Sequence, residues 1–209
     1  MIKIWGRNTS SNVQKAMWAV GELGLEYTRI DIGGPFGKNK EAAYLAMNPN
    51  GLVPTLEEED GFLLWESNSI VRYLVGKYDK NNVLEPKDPR QRARASQWMD
   101  WQLSVVAPAI FHAFWGLIRT PPEKRDMAAI KISQDKTTDA MKMLEAQLAT
   151  TAYVAGPAFS YGDIPVAIMC LRYRALVPDR PPTPNLDRWY DAIAKRKAFH
   201  DHVSSIPLV

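Results

Sequence analysis

The chain has 209 residues, longer than the commonest single domain and too short for two large ones, which leaves one or two compact domains. Its 46% hydrophobic and 23% charged residues describe a soluble globular protein and exclude a disordered or fibrous one. Lys and Arg number 26 against 23 Asp and Glu, a balance of +3 without any block of like charge, so no nucleic-acid partner is expected; Lys195-Arg196-Lys197 reads as the solvated end of a helix.

Met1 to Arg7 lacks the apolar run of a secretion signal, so a cytoplasmic chain is expected, and Ile2 to Trp5 forms a first strand. Val13, Met17 and Val20 follow at helical spacing with Gly24 as terminator, and Tyr27 to Ile32 resumes a strand. Gly33-Gly34-Pro35-Phe36-Gly37 is a glycine-rich connection. A short helix spans residues 41 to 46, and Asn48-Pro49-Asn50-Gly51 is a turn. Val53 to Leu56 and Phe62 to Trp65 flank an acidic stretch ending in Asp60-Gly61, the pattern of a β-hairpin. A helix then carries Ile70, Val71, Leu74, Val75 and Tyr78 on one face.

Turn formers and Pro86 and Pro89 place a linker over residues 80–88, between a first domain, 1–79, and a helical domain, 89–209. Pro89 to Arg119 is one long helical pattern with Trp98, Trp101, Val105 and His112 on one side. Its apolar core, Val105 to Ile118, falls short of the ~20 residues that span a bilayer and reads as a buried helix, so no membrane partner is expected. Thr137, Met141, Leu144 and Leu148 mark another helix; Ile164, Ile168, Leu171 and Ala175 mark the next, opened by Ser160 and Asp163 as a capping box. A last helix runs through Leu186, Trp189, Ile193 and Ala194. The single cysteine, Cys170, excludes an internal disulfide and suits a reducing compartment.

Four stretches carry a family likeness: Arg7 to Lys15 (RNTSSNVQK), Asn48 to Leu56 (NPNGLVPTL), Trp65 to Leu74 (WESNSIVRYL) and Phe159 to Ile164 (FSYGDI). In this order, over nearly the whole chain, they resemble the cytosolic glutathione transferase superfamily, in particular its serine-type bacterial members. The resemblance implies an α/β plus all-α fold, with a thioredoxin-like βαβ-α-ββα domain followed by a helical bundle. It implies a homodimer with glutathione as co-substrate, and neither metal nor further cofactor is expected.

The family sets the glutathione sulfur at the start of the first helix. A free thiol has a pKa near ~8.5, and holding it ionised at neutral pH takes ~2.7 kcal/mol. The helix dipole offers up to ~2 kcal/mol, and a hydroxyl donor to a charged acceptor ~1.5–3 kcal/mol. Thr9, Ser10, Ser11 and Asn12 supply donors there. Ser10 leads, because its spacing to Asn12 and Lys15 is similar to the S/T-x-N-x-x-K pattern of bacterial members; Ser11 and Asn12 stay open as alternatives. Each could instead simply cap the helix.

The resemblance further assigns a cis bond at Val53-Pro54, with the Val53 backbone facing the cysteinyl part of glutathione. Ser67 goes to the γ-glutamyl carboxylate, Glu66 to its ammonium, and Lys40, helped by Lys38, to the glycyl carboxylate. The second substrate, a small apolar electrophile, is expected between the domains against Phe111, Trp115, Ile118 and Arg119. His112 receives no catalytic role. Cys170, within an apolar helix, reads as a small hydrophobe, which disfavours disulfide chemistry by a protein thiol. The expected reaction is conjugation. The same thiolate would also serve peroxide or disulfide reduction, and a non-enzymatic binding module is a third reading.

Overall fold

In the computed structural model, which describes residues 1–209, Ile2 and Ile4 bury one side of the first strand, β1 (Ile2–Trp5). It pairs in parallel with β2 (Tyr27–Ile30) and antiparallel with β3 (Thr55–Glu57), which pairs antiparallel with β4 (Leu63–Trp65); the sheet order is β2-β1-β3-β4. The hairpin register sets Thr55 opposite Trp65 and Leu56 opposite Leu64. The second strand is shorter than the sequence implies, because the chain leaves the sheet at Asp31 for the glycine-rich connection.

The helix α1 (Ser11–Glu22) links the two parallel strands and ends where Gly24 takes a φ of 62°. A single turn, α2 (Ala42–Leu45), precedes the hairpin, and α3 (Ser67–Tyr78) follows it, burying Ile70, Val71, Leu74 and Val75. Residues Val13 to Val20 of α1 are all buried. An amphipathic surface helix would bury only a stripe. The reason lies at the far end of the chain: α3 covers one flank of α1, and the helical segment Lys197–Ser204 covers another. There Phe199 sets its ring 4.8 Å from that of Trp18, and His202 packs so closely on Gly21 that a Cβ would come within 2.7 Å of the imidazole.

The chain thus forms one unit from Met1–Glu85 with Lys197–Pro207 and a second from Pro86–Arg196 with Leu208–Val209. The sequence reading of 89–209 as one helical domain differs at the Lys197–Pro207 stretch, whose partners are in the first unit.

The second unit is helical. Pro89 to Arg119 runs as one helix of 31 residues, in which α4 (Pro89–Trp101) and α5 (Ala107–Phe114) are each followed by a widened π-type turn, Gln102–Val106 and Trp115–Arg119. Pro108 accounts for the first: it offers no N–H to the Ser104 carbonyl and its ring crowds that oxygen, and widening the turn keeps the helix going.

The buried stripe of this helix is Ala95, Met99, Gln102, Val106, Ile110 and Ala113. Val105 and His112, which the spacing groups with Trp98 and Trp101, are exposed, and Val105 to Ile118 is not a buried segment. By length and composition the 31-residue run is apolar enough to cross a bilayer, with a mean hydropathy of 1.4 over its most apolar window, of which 28% is buried. Its small-residue flank nonetheless packs into the bundle, because Ala95 and Ala113 let neighbouring helices approach closely.

In α6 (Met127–Leu148), Thr137, Met141, Leu144 and Leu148 are buried, as their spacing requires. In α7 (Asp163–Leu176) Asp163 to Cys170 are buried all round while Ala175 is exposed, so a single apolar face is the wrong description: this is the central helix of the bundle, touched by α4, α5, α6 and α8 (Pro184–Ala194).

Candidate active site

Two turns and two helix starts of the first unit gather most of the residues the sequence singles out. After β1 the chain passes Gly6, where an added Cβ would lie 2.4 Å from Val13 and 3.2 Å from Val53. Only glycine lets the loop before α1 sit this close to both α1 and the turn that carries Pro54.

Ser10 occupies the N-cap position of α1 with extended backbone (φ −79°, ψ 122°), and its carbonyl accepts from the Gln14 N–H at 2.9 Å. Its hydroxyl makes no capping bond, and the first turn of α1 contains no acidic residue. The dipole end therefore stays electropositive, with a donor beside it that the helix does not use. Ser11 is the first residue of the helix and half-buried. Asn12, next along, is exposed, and its Oδ1 accepts from the Ser67 hydroxyl at 3.4 Å. Lys15, the last residue of that motif, is fully buried.

The Val53-Pro54 bond is cis. A buried polar cluster fixes the turn leading to it. Asn48 is 2% exposed; its Nδ2 donates to the Leu52 carbonyl (2.9 Å) and the Thr55 hydroxyl (3.2 Å), while its Oδ1 accepts from the Asn50 N–H (3.1 Å). The Tyr44 hydroxyl joins in, 2.7 Å from the Leu52 carbonyl and 2.9 Å from the Thr55 hydroxyl, and burial pushes its phenol pKa up. Gly51 turns the chain with φ at 59°. Lys40 is exposed and donates to the Asn50 carbonyl at 3.1 Å, so its ammonium stands at this turn. The cluster was invisible as a unit in the sequence, although the Asn-Pro-Asn-Gly signal marked its place. Asn48→Ala removes three bonds from this cluster, leaving the Leu52 carbonyl and the Thr55 hydroxyl with the Tyr44 hydroxyl alone, and should lower stability by ~2–3 kcal/mol in a urea melt.

Glu66 is the N-cap residue of α3, held at φ 70°, ψ 110°, a region that costs a non-glycine residue on the order of 1–3 kcal/mol. That turn exposes the Glu66 side chain and leaves Ser67, 6% exposed, as the first residue of α3, again with no acid in the first turn. The helix starts of α1 and α3 thus meet through the Asn12–Ser67 bond.

In the second unit, Phe111 and Trp115 stack at 5.8 Å with 21° between their planes, each about half exposed, and Arg119 is exposed one turn further on. Arg119 donates to the Val209 carbonyl at 2.7 Å and lies over the Phe114 ring; Ile118 is half-buried. Cys170 is fully buried, which pushes its thiol up to about 12 and removes it as a nucleophile.

Residues 9–76 match the family model "Glutathione S-transferase, N-terminal domain", and residues 106–197 match "Glutathione S-transferase, C-terminal domain". The chain belongs to the glutathione S-transferase family. It is 43% identical over 199 residues to glutathione S-transferase GstB of Escherichia coli, covering 95% of each chain. Among solved structures it matches a theta class glutathione S-transferase of Xanthomonas axonopodis pv. citri with glutathione bound, at a TM-score of 0.94 and 41% identity over 100% of this chain and 99% of that one. Glutathione S-transferase 3 of Zea mays is 28% identical over 99% of this chain and 95% of its own. The transferase therefore has the thioredoxin-like domain and helical bundle of this family, and it is an enzyme of the glutathione S-transferase type.

Proposed function

We propose that the transferase binds glutathione with its sulfur at the start of α1, holds that sulfur as the thiolate, and adds it to the carbon of a small apolar electrophile. The observation that carries this reading is the Ser10 hydroxyl, unused by its own helix, at a dipole end without a neighbouring acid. Ser11 and Asn12 supply further donors. The Val53 backbone beside the cis Pro54 faces the cysteinyl amide, Ser67 and Glu66 take the γ-glutamyl end, and Lys40 takes the glycyl carboxylate. The protein forms no covalent bond to either substrate: acceleration comes from holding an ionised, partly desolvated sulfur against the electrophile.

The stacked Phe111–Trp115 pair with Arg119 suits a flat aromatic acceptor, the rings packing on its face and the guanidinium drawing electrons from a nitro or carbonyl oxygen. We further propose a cytoplasmic homodimer. The exposed Leu103 and Val105 on the long helix are apolar surface of the kind a partner covers. Gel filtration is expected to give twice the mass of one chain, and a monomer at micromolar concentration contradicts the dimer.

Turnover with chlorodinitrobenzene, cumene hydroperoxide and hydroxyethyl disulfide, each with glutathione, tests the reaction. The expected order puts chlorodinitrobenzene first. Faster turnover of the peroxide or the disulfide transfers the same thiolate to reduction, and absence of calorimetric binding of millimolar glutathione removes the site itself.

A further inference from the structure

The long helix is gripped from the α6 side at the turn that carries the proposed wall for the second substrate. Ser133 of α6 is 3% exposed, and its hydroxyl reaches across to α5, donating to the Ala109 carbonyl at 2.5 Å and accepting from the Ala113 N–H at 2.9 Å. These two backbone groups are the acceptor and the donor of one rung of the i to i−4 ladder. A serine inside a helix ordinarily returns its hydroxyl to the carbonyl four residues back. Thr137 and Thr138 on the same helix do so, bonding the Ser133 and Gln134 carbonyls at 2.7 and 2.9 Å, whereas Ser133 turns from its own backbone to that of its neighbour. Further along, in the second π-type turn, Gly116 lies so close to α6 that an added Cβ would stand 2.6 Å from the Ile130 side chain.

A side chain lodged against a ladder rung is one of the few physical causes that bend a helix. Phe111 and Trp115 flank Ala113 at two residues on either side, which at about 100° per residue puts both roughly 160° round the helix from it, on the face turned away from α6. Their rings stack there at 5.8 Å, each about half exposed. The direction in which that face points depends on how the turn beneath it is closed, and Ser133 holds both groups that close it.

We propose that Ser133 determines specificity for the second substrate: by fixing the turn from Ala109 to Ala113 it sets the angle at which Phe111 and Trp115 meet the acceptor, and so favours flat aromatic electrophiles over acyclic ones. It is a positioning residue, because it acts through the α5 backbone and is itself buried away from either substrate. The inference rests on the Phe111–Trp115 wall proposed above and names what orients it.

The test is the ratio of kcat/KM for chlorodinitrobenzene to that for methyl vinyl ketone, an electrophile with no ring to stack, both at saturating glutathione. Ser133→Ala removes the hydroxyl and leaves the Ala113 N–H and the Ala109 carbonyl to each other. The ratio should fall about 3- to 10-fold, the worth of one aromatic stacking contact, with the KM for glutathione unchanged. A merely structural serine lowers stability and acts on both electrophiles alike, so its loss leaves the ratio where it was. Trp115→Ala should lower the same ratio, and Ser133→Ala added to it should lower it no further, because the serine acts through the ring pair.

An unchanged ratio in Ser133→Ala overturns the proposal, as does a further fall in the double variant. Should Ser133→Ala fail to fold, Ser133→Cys, which nearly keeps the side-chain volume but exchanges the hydroxyl for a weak donor and acceptor, carries the same expectation. If Trp115→Ala itself leaves the ratio unchanged, the proposed wall fails and the inference with it; if Trp115→Ala lowers the ratio and Ser133→Ala does not, the wall stands and only the role of Ser133 falls.

Discussion

Asp163→Ala is expected to lower the stability of the helical unit by ~4 kcal/mol or more in urea or thermal unfolding, a loss large against a typical 5–15 kcal/mol total. The carboxylate is fully buried, and four donors converge on it. The Val154 N–H (3.0 Å) and Trp189 Nε1 (2.8 Å) reach Oδ1, while the Ser160 N–H (2.9 Å) and hydroxyl (3.1 Å) reach Oδ2. The Ser160 hydroxyl can rotate to a new acceptor. The two backbone groups and the indole cannot, and each buried donor left unpaired costs on the order of 1–3 kcal/mol.

A second readout separates the charge from the bonds. Burial, only partly offset by the four donors, raises the Asp163 pKa from 3.8 to about 6. The folded chain thus keeps this proton at pH values where the unfolded chain has released it. The contribution is full below 3.8 and falls as pH rises toward 6, opposite to the usual carboxylate, because here the native state binds more protons. Asp163→Asn, uncharged throughout, should remove that fall from the stability profile, and a slope that persists in the variant assigns it to another group.

The elements that the sequence made legible were those with a local cause. Alternating Ile2 and Ile4 marked β1, the Asp60-Gly61 pair marked the hairpin, and Gly24 ended α1 at a positive φ that only glycine adopts cheaply. The Ser160–Asp163 pair was legible too, although Gly162 is the N-cap of α7 and the Ser160 hydroxyl donates to the Asp163 carboxylate where a capping box would have it accept a backbone N–H; the Trp189 indole on the same carboxylate was not, because a contact 26 residues away leaves no local periodicity. The same limit hid the return of Lys197–Pro207 to α1.

In the long helix the error had a different origin. The apolar run Val105 to Ile118 suggests a buried helix, yet burial there is confined to a stripe through Val106, Ile110 and Ala113 that continues back to Met99 and Ala95, where the two alanines admit close neighbours. For the site, residue types at the start of α1 were readable from the motif. What a single sequence does not encode is which side chains are engaged: that the Ser10 hydroxyl makes no capping bond while Asn12 Oδ1 accepts from Ser67, 55 residues on, emerges only once α1 and α3 lie side by side.

Ser10→Ala is expected to raise the pKa of bound glutathione by about 1–2 and to cut kcat/KM at neutral pH roughly 10- to 100-fold, the worth of one hydrogen bond to an anion at ~1.5–3 kcal/mol. The loss should shrink as pH rises, since above the raised pKa the thiolate forms without help. Melting gives the opposing check. A serine that merely caps its helix costs ~0.5–2 kcal/mol when replaced by alanine, but the Ser10 hydroxyl makes no such bond, so Ser10→Ala should melt with the unmodified enzyme. A shifted pH profile with unchanged melting assigns the hydroxyl to the sulfur. Lowered melting with an unchanged profile returns Ser10 to a structural role, and the thiolate donor is then Ser11 or Asn12, whose alanine variants must carry the shift instead.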